Sequence, residues 1–571
     1  MGKIFATWSS ETLVFLGAGA TAVLGMPQTR EQTNFFRSLA KTFDREPLDE
    51  ILNRFERKDR QNMKDFLILL GDGKQTGEFW LEITDGEFLA AKRMFGDGHP
   101  ENVVKNRILE LRRNYDWQAL KRIIGICPHN EKDDNLIRDV YSLLDKKMGA
   151  RQSVKVRAAT GDIDEIVIDN SRLRGAYSCA ICFTVILFSN AWYKLTNGEK
   201  SIDFQKYVSF AETLACLMQK EGVEFADRGY EPNSREFYQF SYSFVSFNFE
   251  TVFMWLLFIA HKKLNEDGVS LSSTAQKMKL WLDFGFMAKG RDVPKEKDKR
   301  VPGKFAYSYD ESVAYRQNKC EVPGSPVGRI GKFYFAHGCS NWRECPVCGR
   351  MMYVLGDDWK TLAKGLIPPL PIPLFEKDGF YRKDNEENWE RELLQSDALE
   401  CVSCGAKTFA YNAPMIMQTM IKGIPTSFLE EVQRDVRVGL EKARHVVLLG
   451  YSLPSDDAVW VQTFAETVRC RRETENAAYC SVVVGFKGET RWLYGDEMMR
   501  IVERYRHAED ADAYGARTVN QAVAIFGKDH VRAWCGGIPQ VWGNATEAEV
   551  REILYPKDWN PEMWKGTRLE K

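Results

Sequence analysis

Two pairs of cysteines have the spacing of metal ligands. Cys345 and Cys348 form one C-x-x-C pair, and Cys401 and Cys404 form a second pair further along the chain. Each pair is followed by a glycine, which suits a tight turn around a metal ion. Although the spacing between the pairs is long, four such thiols are the ligand set of a structural zinc ribbon. We therefore expect one Zn²⁺ bound by all four cysteines, with no open coordination position and no catalytic role.

A histidine and an asparagine each follow a predicted strand. His337 comes directly after the run 332–336, where a histidine can present a general base to a crevice above a sheet. A lone histidine is more often structural, so both interpretations stay open. Asn248 follows the run 242–247, where its amide can bind a ribose hydroxyl or a water. Equally, Asn248 can cap the next helix, with Glu250 favourable in the first turn.

Glycines end two further apolar runs. The run 12–16 is followed by Gly17-Ala18-Gly19, where a backbone without bulky side chains can approach a pyrophosphate at a helix N-terminus. Such turns are common in sheet proteins, so this motif alone is weak evidence for a nucleotide. The run 444–449 is followed by Gly450-Tyr451-Ser452, which is either a second turn facing the same crevice or an ordinary strand-to-helix connection.

The pattern between these motifs predicts an α/β fold. Short apolar runs alternate with helical stretches, which is typical of a parallel sheet with helical crossovers. The long region from about 45 to 232 is charged and mixed, and it reads as mostly helical with one strand or hairpin. The predicted strands are 12–16, 242–247, 332–336, 444–449 and 481–485, the hairpin lies near 163–169, and the clearest helices are 30–43, 103–115, 133–147 and 251–264.

Composition excludes several classes of protein. The 571 residues include 79 Lys and Arg against 80 Asp and Glu, so the net charge of −1 argues against a nucleic-acid-binding protein. Apolar residues make up 44% of the chain, which is ample for folded cores. No uninterrupted apolar run approaches the ~18 residues that span a bilayer, and no secretory signal is visible. We expect a cytoplasmic protein with no membrane association, in which cysteine pairs bind metal rather than form disulfides.

The order of these motifs resembles the sirtuin-like NAD-consuming superfamily, with the closest likeness to its bacterial anti-phage defence branch. The resemblance covers roughly 12–43, 241–344 and 401–488. It implies a Rossmann-like parallel sheet of the sirtuin type with an inserted zinc module, a large mostly helical insertion and a C-terminal extension. The implied organisation is a sirtuin-like domain in three parts (1–44, 236–344 and 405–490), a helical insertion (45–235), a zinc-binding module (345–404) and an α-rich C-terminal extension (491–571).

The resemblance also implies roles for individual residues. His337 would be the general base, and Asn248 would hold the nicotinamide ribose or the attacking water. Glu250 would stand where the family usually has an Asp. The other residues implied to bind NAD⁺ are Gly17, Ala18, Gly19 and Thr21 at the phosphates, Gln28 in the segment that follows, and Gly450 and Ser452 on the adenosine side.

Two departures from protein-deacylating sirtuins bear on the activity. Those enzymes have Gly-Ile-Pro-Asp-Phe-Arg after the first glycine turn, whereas residues 25–30 here are Gly-Met-Pro-Gln-Thr-Arg. Their Gln-Asn-Ile-Asp motif is Phe-Asn-Phe-Glu at 247–250. These changes leave cleavage of the glycosidic bond plausible but put an acyl-lysine channel in doubt.

We therefore expect an NAD⁺ hydrolase that releases ADP-ribose and nicotinamide and depletes NAD⁺ in anti-phage defence by abortive infection. The alternatives are an NAD-dependent protein deacylase and a non-catalytic NAD- or ADP-ribose-sensing module. Because uncontrolled NAD⁺ hydrolysis is toxic, we also expect a homo-oligomer, a co-encoded ATPase or nucleotide-processing partner, or both. Nucleic acid is not an expected partner.

Overall fold

In the computed structural model, the chain forms helices around one large sheet. The structure describes residues 11–41, 57–71, 82–95, 100–127, 136–157, 165–197, 201–227, 242–267, 269–270, 277–283, 327–340, 342–349, 351–353, 399–400, 404, 406–408, 412–417, 419, 425–454, 457–472, 474, 477–485, 490–505 and 511–556. Its strands are β1 (Thr12–Leu16), β2 (Val154–Arg157), β3 (Glu165–Ile168), β4 (Tyr242–Ser246), β5 (Val269–Ser270), β6 (Lys277–Asp283), β7 (Val327–Phe335), β8 (Trp342–Glu344), β9 (Met351–Tyr353), β10 (Leu399–Glu400), β11 (Lys407–Thr408), β12 (His445–Leu449), β13 (Tyr479–Val483), β14 (Trp492–Tyr494) and β15 (Val531–Trp534).

The α-helices of the described residues are numbered in chain order. They are α1 (Thr29–Lys41), α2 (Arg57–Leu69), α3 (Asp85–Phe95), α4 (Glu101–Asn114), α5 (Trp117–Ile126), α6 (Leu136–Gly149), α7 (Asn170–Asn197), α8 (Ile202–Asp227), α9 (Val252–Asp267), α10 (Ser427–Lys442), α11 (Ala458–Thr467), α12 (Gly495–Tyr505), α13 (Ala511–Phe526) and α14 (Glu547–Leu554).

Nine strands form the main sheet, in the spatial order β14-β15-β13-β12-β1-β4-β7-β6-β5. The seven from β15 to β6 are parallel, and a short antiparallel strand closes each edge. Parallel neighbours need long crossover connections, which the helices between the strands supply. The prediction of an α/β fold with a parallel sheet is therefore confirmed.

The central strands are buried along their whole length. Every residue of β1 and of β12 is buried. A parallel strand covered on both faces has continuous apolar residues instead of alternation, which explains why these strands were recognisable in the sequence. On β1, Thr12 pairs with His445 on one side and with Tyr242 on the other, so β1 lies between β12 and β4.

The apolar side chains form two cores. The first surrounds the sheet and includes α8 to α14. The second is built by α1 to α7 together with the β2–β3 hairpin. The region expected to be mostly helical therefore divides, because α2 to α7 pack in the second core while α8 packs against the sheet.

The longest helix, α7, is buried in the second core. Among the residues that the structure describes, the segment Asn170–Trp192 is the one helix long and apolar enough to cross a membrane. However, 82% of its most apolar window is buried inside the protein. Cys179 and Cys182 lie here with no exposed surface. Such burial is typical of a helix in a protein core.

The segment after residue 490 contributes to the sheet as well as to the helical layer. β15 lies parallel to β13, and β14 lies antiparallel to β15. Arg532 on β15 is fully buried, with its guanidinium 3.6 Å from the centre of the Trp492 ring and 2.5 Å from a Glu552 carboxylate oxygen. This pairing offsets the cost of burying its charge.

Candidate functional site

The sequence motifs meet at one edge of the sheet. Four neighbouring strands, in the order β12-β1-β4-β7, run parallel and end at Leu449, Leu16, Ser246 and Phe335. The turns that follow them therefore lie side by side at the carboxyl edge. The chain passes to β4 on one side of β1 and later to β12 on the other, so this edge includes the switch point where ligands bind in open α/β sheets.

The two glycine turns contact each other directly. The amides of Gly17 and Gly19 donate to the carbonyls of Leu449 and Gly450, both at 3.1 Å. A Cβ atom on Gly17 would lie 2.5 Å from the carbonyl oxygen of Gly450, so no larger residue fits there. Gly450 has a φ of +58°, which favours glycine. The contact between the turns thus explains these glycines, while Ala18 and Gly19 are exposed at the edge.

Thr21, Asn248 and Glu250 come together in a buried polar cluster. The Asn248 side-chain amide donates to the Gly17 carbonyl and to Glu250 Oε1, both at 3.0 Å. The Thr21 hydroxyl donates to the same glutamate oxygen at 2.9 Å. The amide of Val252 donates to Glu250 Oε2 at 2.6 Å, at the start of α9. Glu250 therefore holds the Asn248 side chain against the first glycine turn.

Burial shapes the charge of this cluster. Removal from water raises the pKa of Glu250 above its ordinary value, and the hydrogen bonds from Val252, Thr21 and Asn248 oppose that rise. These three donors stabilise the carboxylate, so the group is a hydrogen-bond acceptor that orients its neighbours.

His337 pairs with an acidic residue that the sequence did not identify as functional. Its Nε2 lies 3.1 Å from Asp457 Oδ1, and both side chains are almost fully buried. The other Asp457 oxygen accepts a hydrogen bond from the Tyr451 hydroxyl at 3.2 Å. The His337 ring also lies 4.9 Å from the ring of Phe247, which stacks on Tyr451 at 4.3 Å. The histidine is therefore fixed by both a carboxylate and an aromatic wall.

Backbone hydrogen bonds fix the His337 turn beside the Asn248 turn. The amide of Ala336 donates to the Ser246 carbonyl, and that of Ser340 donates to the Phe249 carbonyl, both at 3.0 Å. On the other side, the amide of Ile416 donates to the His337 carbonyl at 2.8 Å. The segment 412–417 thus packs directly against the histidine turn.

The remaining predicted residues lie at the periphery. Gln28 is exposed immediately before α1, where its backbone amide donates to a Glu31 carboxylate oxygen at 3.1 Å. Ser452 is exposed, and its carbonyl accepts a 3.4 Å hydrogen bond from Thr518. Asp457 directly precedes α11, where an aspartate is an ordinary helix-capping residue type. Its distance of 120 positions from His337 gave no local signal of their pairing.

The predicted metal ligands lie at the tips of two small hairpins. Cys345 and Cys348 follow β8 in the β8–β9 hairpin, and Cys404 lies in the turn of the β10–β11 hairpin. The three sulfur atoms all lie within 4.8 Å of one another. Three converging thiols can hold a metal ion and are compatible with structural zinc. Cys401, the expected fourth ligand, lies outside the described residues.

The surroundings of Cys345 favour ionisation of its thiol. Burial alone would raise the pKa of Cys345, but hydrogen bonds from the Cys348 and Val347 amides and from neighbouring thiols bring it down to about 7. The Cys348 amide lies 3.5 Å from the Cys345 sulfur. Amides directed at a cysteine sulfur stabilise the thiolate that a metal requires.

A cavity of about 500 Å³ lies beside the cluster of Cys345, Cys348 and Cys404, which we call the metal cluster. Asp145 and Tyr177 of the second core line one side, and Glu344 and Pro346 of the β8–β9 hairpin line another. The segment 412–417, which contacts the His337 turn, lines a third side. The cavity therefore separates the metal cluster from the second core and does not contain the Asn248 and His337 side chains.

Comparison with known proteins adds no family to these observations. No protein-family model matches the chain, and no curated protein matches it. The function is therefore inferred from the residues and their geometry.

Proposed function

We propose that this chain is a sirtuin-like NAD⁺ hydrolase that cleaves NAD⁺ to ADP-ribose and nicotinamide. The observation that carries the proposal is the convergence of the Gly17–Gly19 turn, Asn248 and the His337–Asp457 pair at one carboxyl edge. The motif order that resembles the sirtuin-like superfamily supplies the choice of NAD⁺ as substrate. Depletion of NAD⁺ in anti-phage defence follows from the same resemblance, and a cytoplasmic location is proposed from the sequence composition.

The chemistry requires three functions from the protein. Nicotinamide leaves as a neutral group from a cationic ring, so the ribose passes through an oxocarbenium-like state. The protein must anchor the pyrophosphate, hold the ribose and remove a proton from the incoming water. Each function corresponds to a different turn of the carboxyl edge.

His337 is proposed as the base. Its Nε2 lies 3.1 Å from Asp457 Oδ1, so a proton accepted from water would form an imidazolium paired with this carboxylate. Asp457 would thereby stabilise the charged ring that forms. Non-catalytic sensing of NAD⁺ needs no such pair, which favours the catalytic interpretation.

Asn248 is proposed to position the ribose or the water. Because its side-chain NH₂ donates to Gly17 and Glu250, its carbonyl oxygen is the group suited to accept a hydrogen bond from a hydroxyl. Glu250 would fix the orientation of this amide. At the glycine turn, the Gly17 and Gly19 amides already donate to the second turn, so the exposed Ala18 amide is the proposed phosphate donor.

Zinc is proposed as a structural ion. Cys345, Cys348 and Cys404 would hold it with Cys401, and the ion would hold the two hairpin tips together. The proposed regulation is through self-association or a co-encoded ATPase or nucleotide-processing partner.

The test is NAD⁺ consumption by purified protein, with nicotinamide and ADP-ribose measured by chromatography. His337→Ala should lower turnover by about 10²–10⁴, the usual contribution of a general base. The matched control is His530→Ala, at a histidine that packs edge-on against Tyr479 at the start of β13. A parallel reaction with an acetyl-lysine peptide tests the deacylase alternative. Wild-type turnover in His337→Ala, or peptide deacylation faster than NAD⁺ hydrolysis, would refute the proposal.

A further inference from the structure

Tyr207 of α8 connects a helix outside the motifs to the first glycine turn. Its side chain is fully buried, and its hydroxyl donates to the carbonyl of Ala20. Ala20 lies between Gly19 and Thr21, and its own amide donates to the Gly17 carbonyl at 2.9 Å. The Tyr207 hydroxyl therefore holds a peptide group within the turn itself.

This hydroxyl remains a donor at physiological pH. Burial raises the pKa of Tyr207, and the negative charges of Glu250 and Asp203 raise it further. The phenol thus stays protonated and keeps its hydrogen bond to Ala20. Since Glu250 acts on the hydroxyl, Tyr207 lies near the polar cluster that fixes Asn248 as well as beside the turn.

The opposite side of Tyr207 contacts the C-terminal part of the chain. Trp542, in the short 3-10 helix Gln540–Trp542, packs edge-on against the Tyr207 ring with centroids 4.4 Å apart. The same tryptophan stacks on Phe210, one turn further along α8, at 4.6 Å. The Thr213 hydroxyl donates to the Ala545 carbonyl at 2.7 Å. These contacts fix α8 between residues 542–545 and the glycine turn.

We propose that Tyr207 is a positioning residue that sets the shape of the glycine turn, and that Trp542 acts on this turn through Tyr207. The substrate in this inference rests on the proposed function, whereas the restraint on the turn does not. Without the hydroxyl, the Ala20 peptide can rotate, and the turn samples shapes that fit a pyrophosphate poorly. His337 and Asp457 follow other strands, so the effect falls on substrate binding.

The decisive variant is Tyr207→Phe, which removes the hydroxyl and keeps the ring against Trp542. We expect KM for NAD⁺ to rise about tenfold, the scale of one lost hydrogen bond, with kcat within about twofold. The matched control is Tyr141→Phe, because Tyr141 is equally buried and its hydroxyl lies 2.9 Å from the Thr184 hydroxyl in the second core. A purely structural role predicts similar losses of thermal stability and no change of KM in both variants, which would overturn the proposal.

A second measurement does not depend on NAD⁺. Hydrogen–deuterium exchange followed by mass spectrometry should show faster exchange in a peptide covering residues 13–24 for Tyr207→Phe, and unchanged exchange there for Tyr141→Phe. If wild-type protein does not consume NAD⁺, the proposed function fails while this measurement still tests the restraint. Unchanged exchange in Tyr207→Phe would overturn the restraint regardless of activity.

The contribution of Trp542 is tested by a double-mutant cycle. Trp542→Phe should raise KM about threefold, because the smaller ring supports Tyr207 less well. In the Tyr207→Phe background the same change should raise KM no further, since the hydroxyl it acts through is gone. Additive effects of the two substitutions would overturn the proposed coupling of Trp542 to the turn.

Discussion

The metal cluster and the carboxyl edge of the sheet differ in burial and in the strands that support them. At the carboxyl edge, the Asn248, Glu250 and His337 side chains are buried, and the turns that carry them follow strands of the main core. At the metal cluster, Cys345 is buried but Cys348 and Cys404 are exposed. The strands of the two hairpins that carry the cysteines are only two or three residues long.

This difference separates the sources of stability at the two sites. Two-stranded hairpins of this length are not stable in water by themselves, so the metal cluster would depend on the proposed zinc ion or on neighbouring segments. The carboxyl edge depends on packing between turns, including the contact between Gly17 and Gly450. We therefore expect changes at the cluster to act locally, and changes at the edge to act on the fold and on catalysis together.

The largest expected effect is the loss of bound zinc at the proposed metal site. Cys404→Ser should reduce bound zinc from about one equivalent to less than about a third, because structural zinc binding is worth about 10–16 kcal/mol and depends on every thiolate. Limited proteolysis should then cut near the hairpins while the sheet stays resistant. Metal analysis measures the loss. The control is Cys470→Ser, at an exposed thiol in the 3-10 helix Arg469–Arg471. Full metal content in Cys404→Ser would contradict the site.

The next effect tests the contact between the glycine turns. An added Cβ at Gly450 would lie 2.3 Å from the Ala20 nitrogen. Gly450→Ala should therefore cost about 3 kcal/mol or more in the free energy of unfolding, measured with chemical denaturant. Gly495→Ala is the matched control, because Gly495 has a φ of +49° but no atom near its Cβ position. That variant should lose only about 1 kcal/mol from backbone strain. Equal losses in the two variants would show that the turns tolerate separation.

A smaller effect distinguishes chemistry from stability at the same edge. Asp457→Asn should lower NAD⁺ turnover about a hundredfold, or about 2.7 kcal/mol in activation free energy, because the His337 imidazolium would lose the carboxylate paired with it. Metal content should not change. Asp529→Asn, at an exposed position in the 3-10 helix Lys528–His530, is the control. Normal turnover in Asp457→Asn would remove Asp457 from the catalytic group.

The smallest effect concerns the acid stability of the sheet core. Burial lowers the pKa of His261 to about 3, and neither ring nitrogen has a hydrogen-bond partner among the residues that the structure describes. Between the unfolded pKa of 6.5 and the folded value, the unfolded chain binds a proton that the folded protein does not, so stability falls as pH drops through this window.

His261→Leu should weaken that dependence. The free energy of unfolding of the variant minus that of wild type should rise by about 2 kcal/mol between pH 7 and pH 5. The reason is that the variant has no histidine to take up a proton on unfolding. Denaturant unfolding at both pH values measures the change, and zinc content at pH 7 should be unaffected. The same pH slope in both proteins would show that His261 is accessible to protons in the folded state.

The predictable parts of the fold were those with a local signal. β1, β4 and β12 were recognisable because short apolar runs ended in distinctive turns, and Asn248 and His337 were placed at strand ends for the same reason. β15 was missed because Arg532 interrupts its apolar pattern, and partners distant in sequence, including Ser481, Trp492 and Glu552, make its burial tolerable. The partners Asp457 and Tyr207 were not predictable, since each pairing joins turns or helices that only the sheet brings together.

The position of β1 also has a consequence for synthesis. This strand leaves the ribosome before the other described strands of the sheet, yet its Thr12 hydroxyl donates to the Leu554 carbonyl, 542 residues along the chain. At about 5–20 residues per second, translation needs roughly half a minute or more before this contact can form. The helices of the second core, whose contacts are closer in sequence, can fold meanwhile. Until its neighbours β4 and β12 have been synthesised, this apolar strand is exposed to aggregation, so the yield of soluble protein in cells should depend on chaperone capacity more than on equilibrium stability.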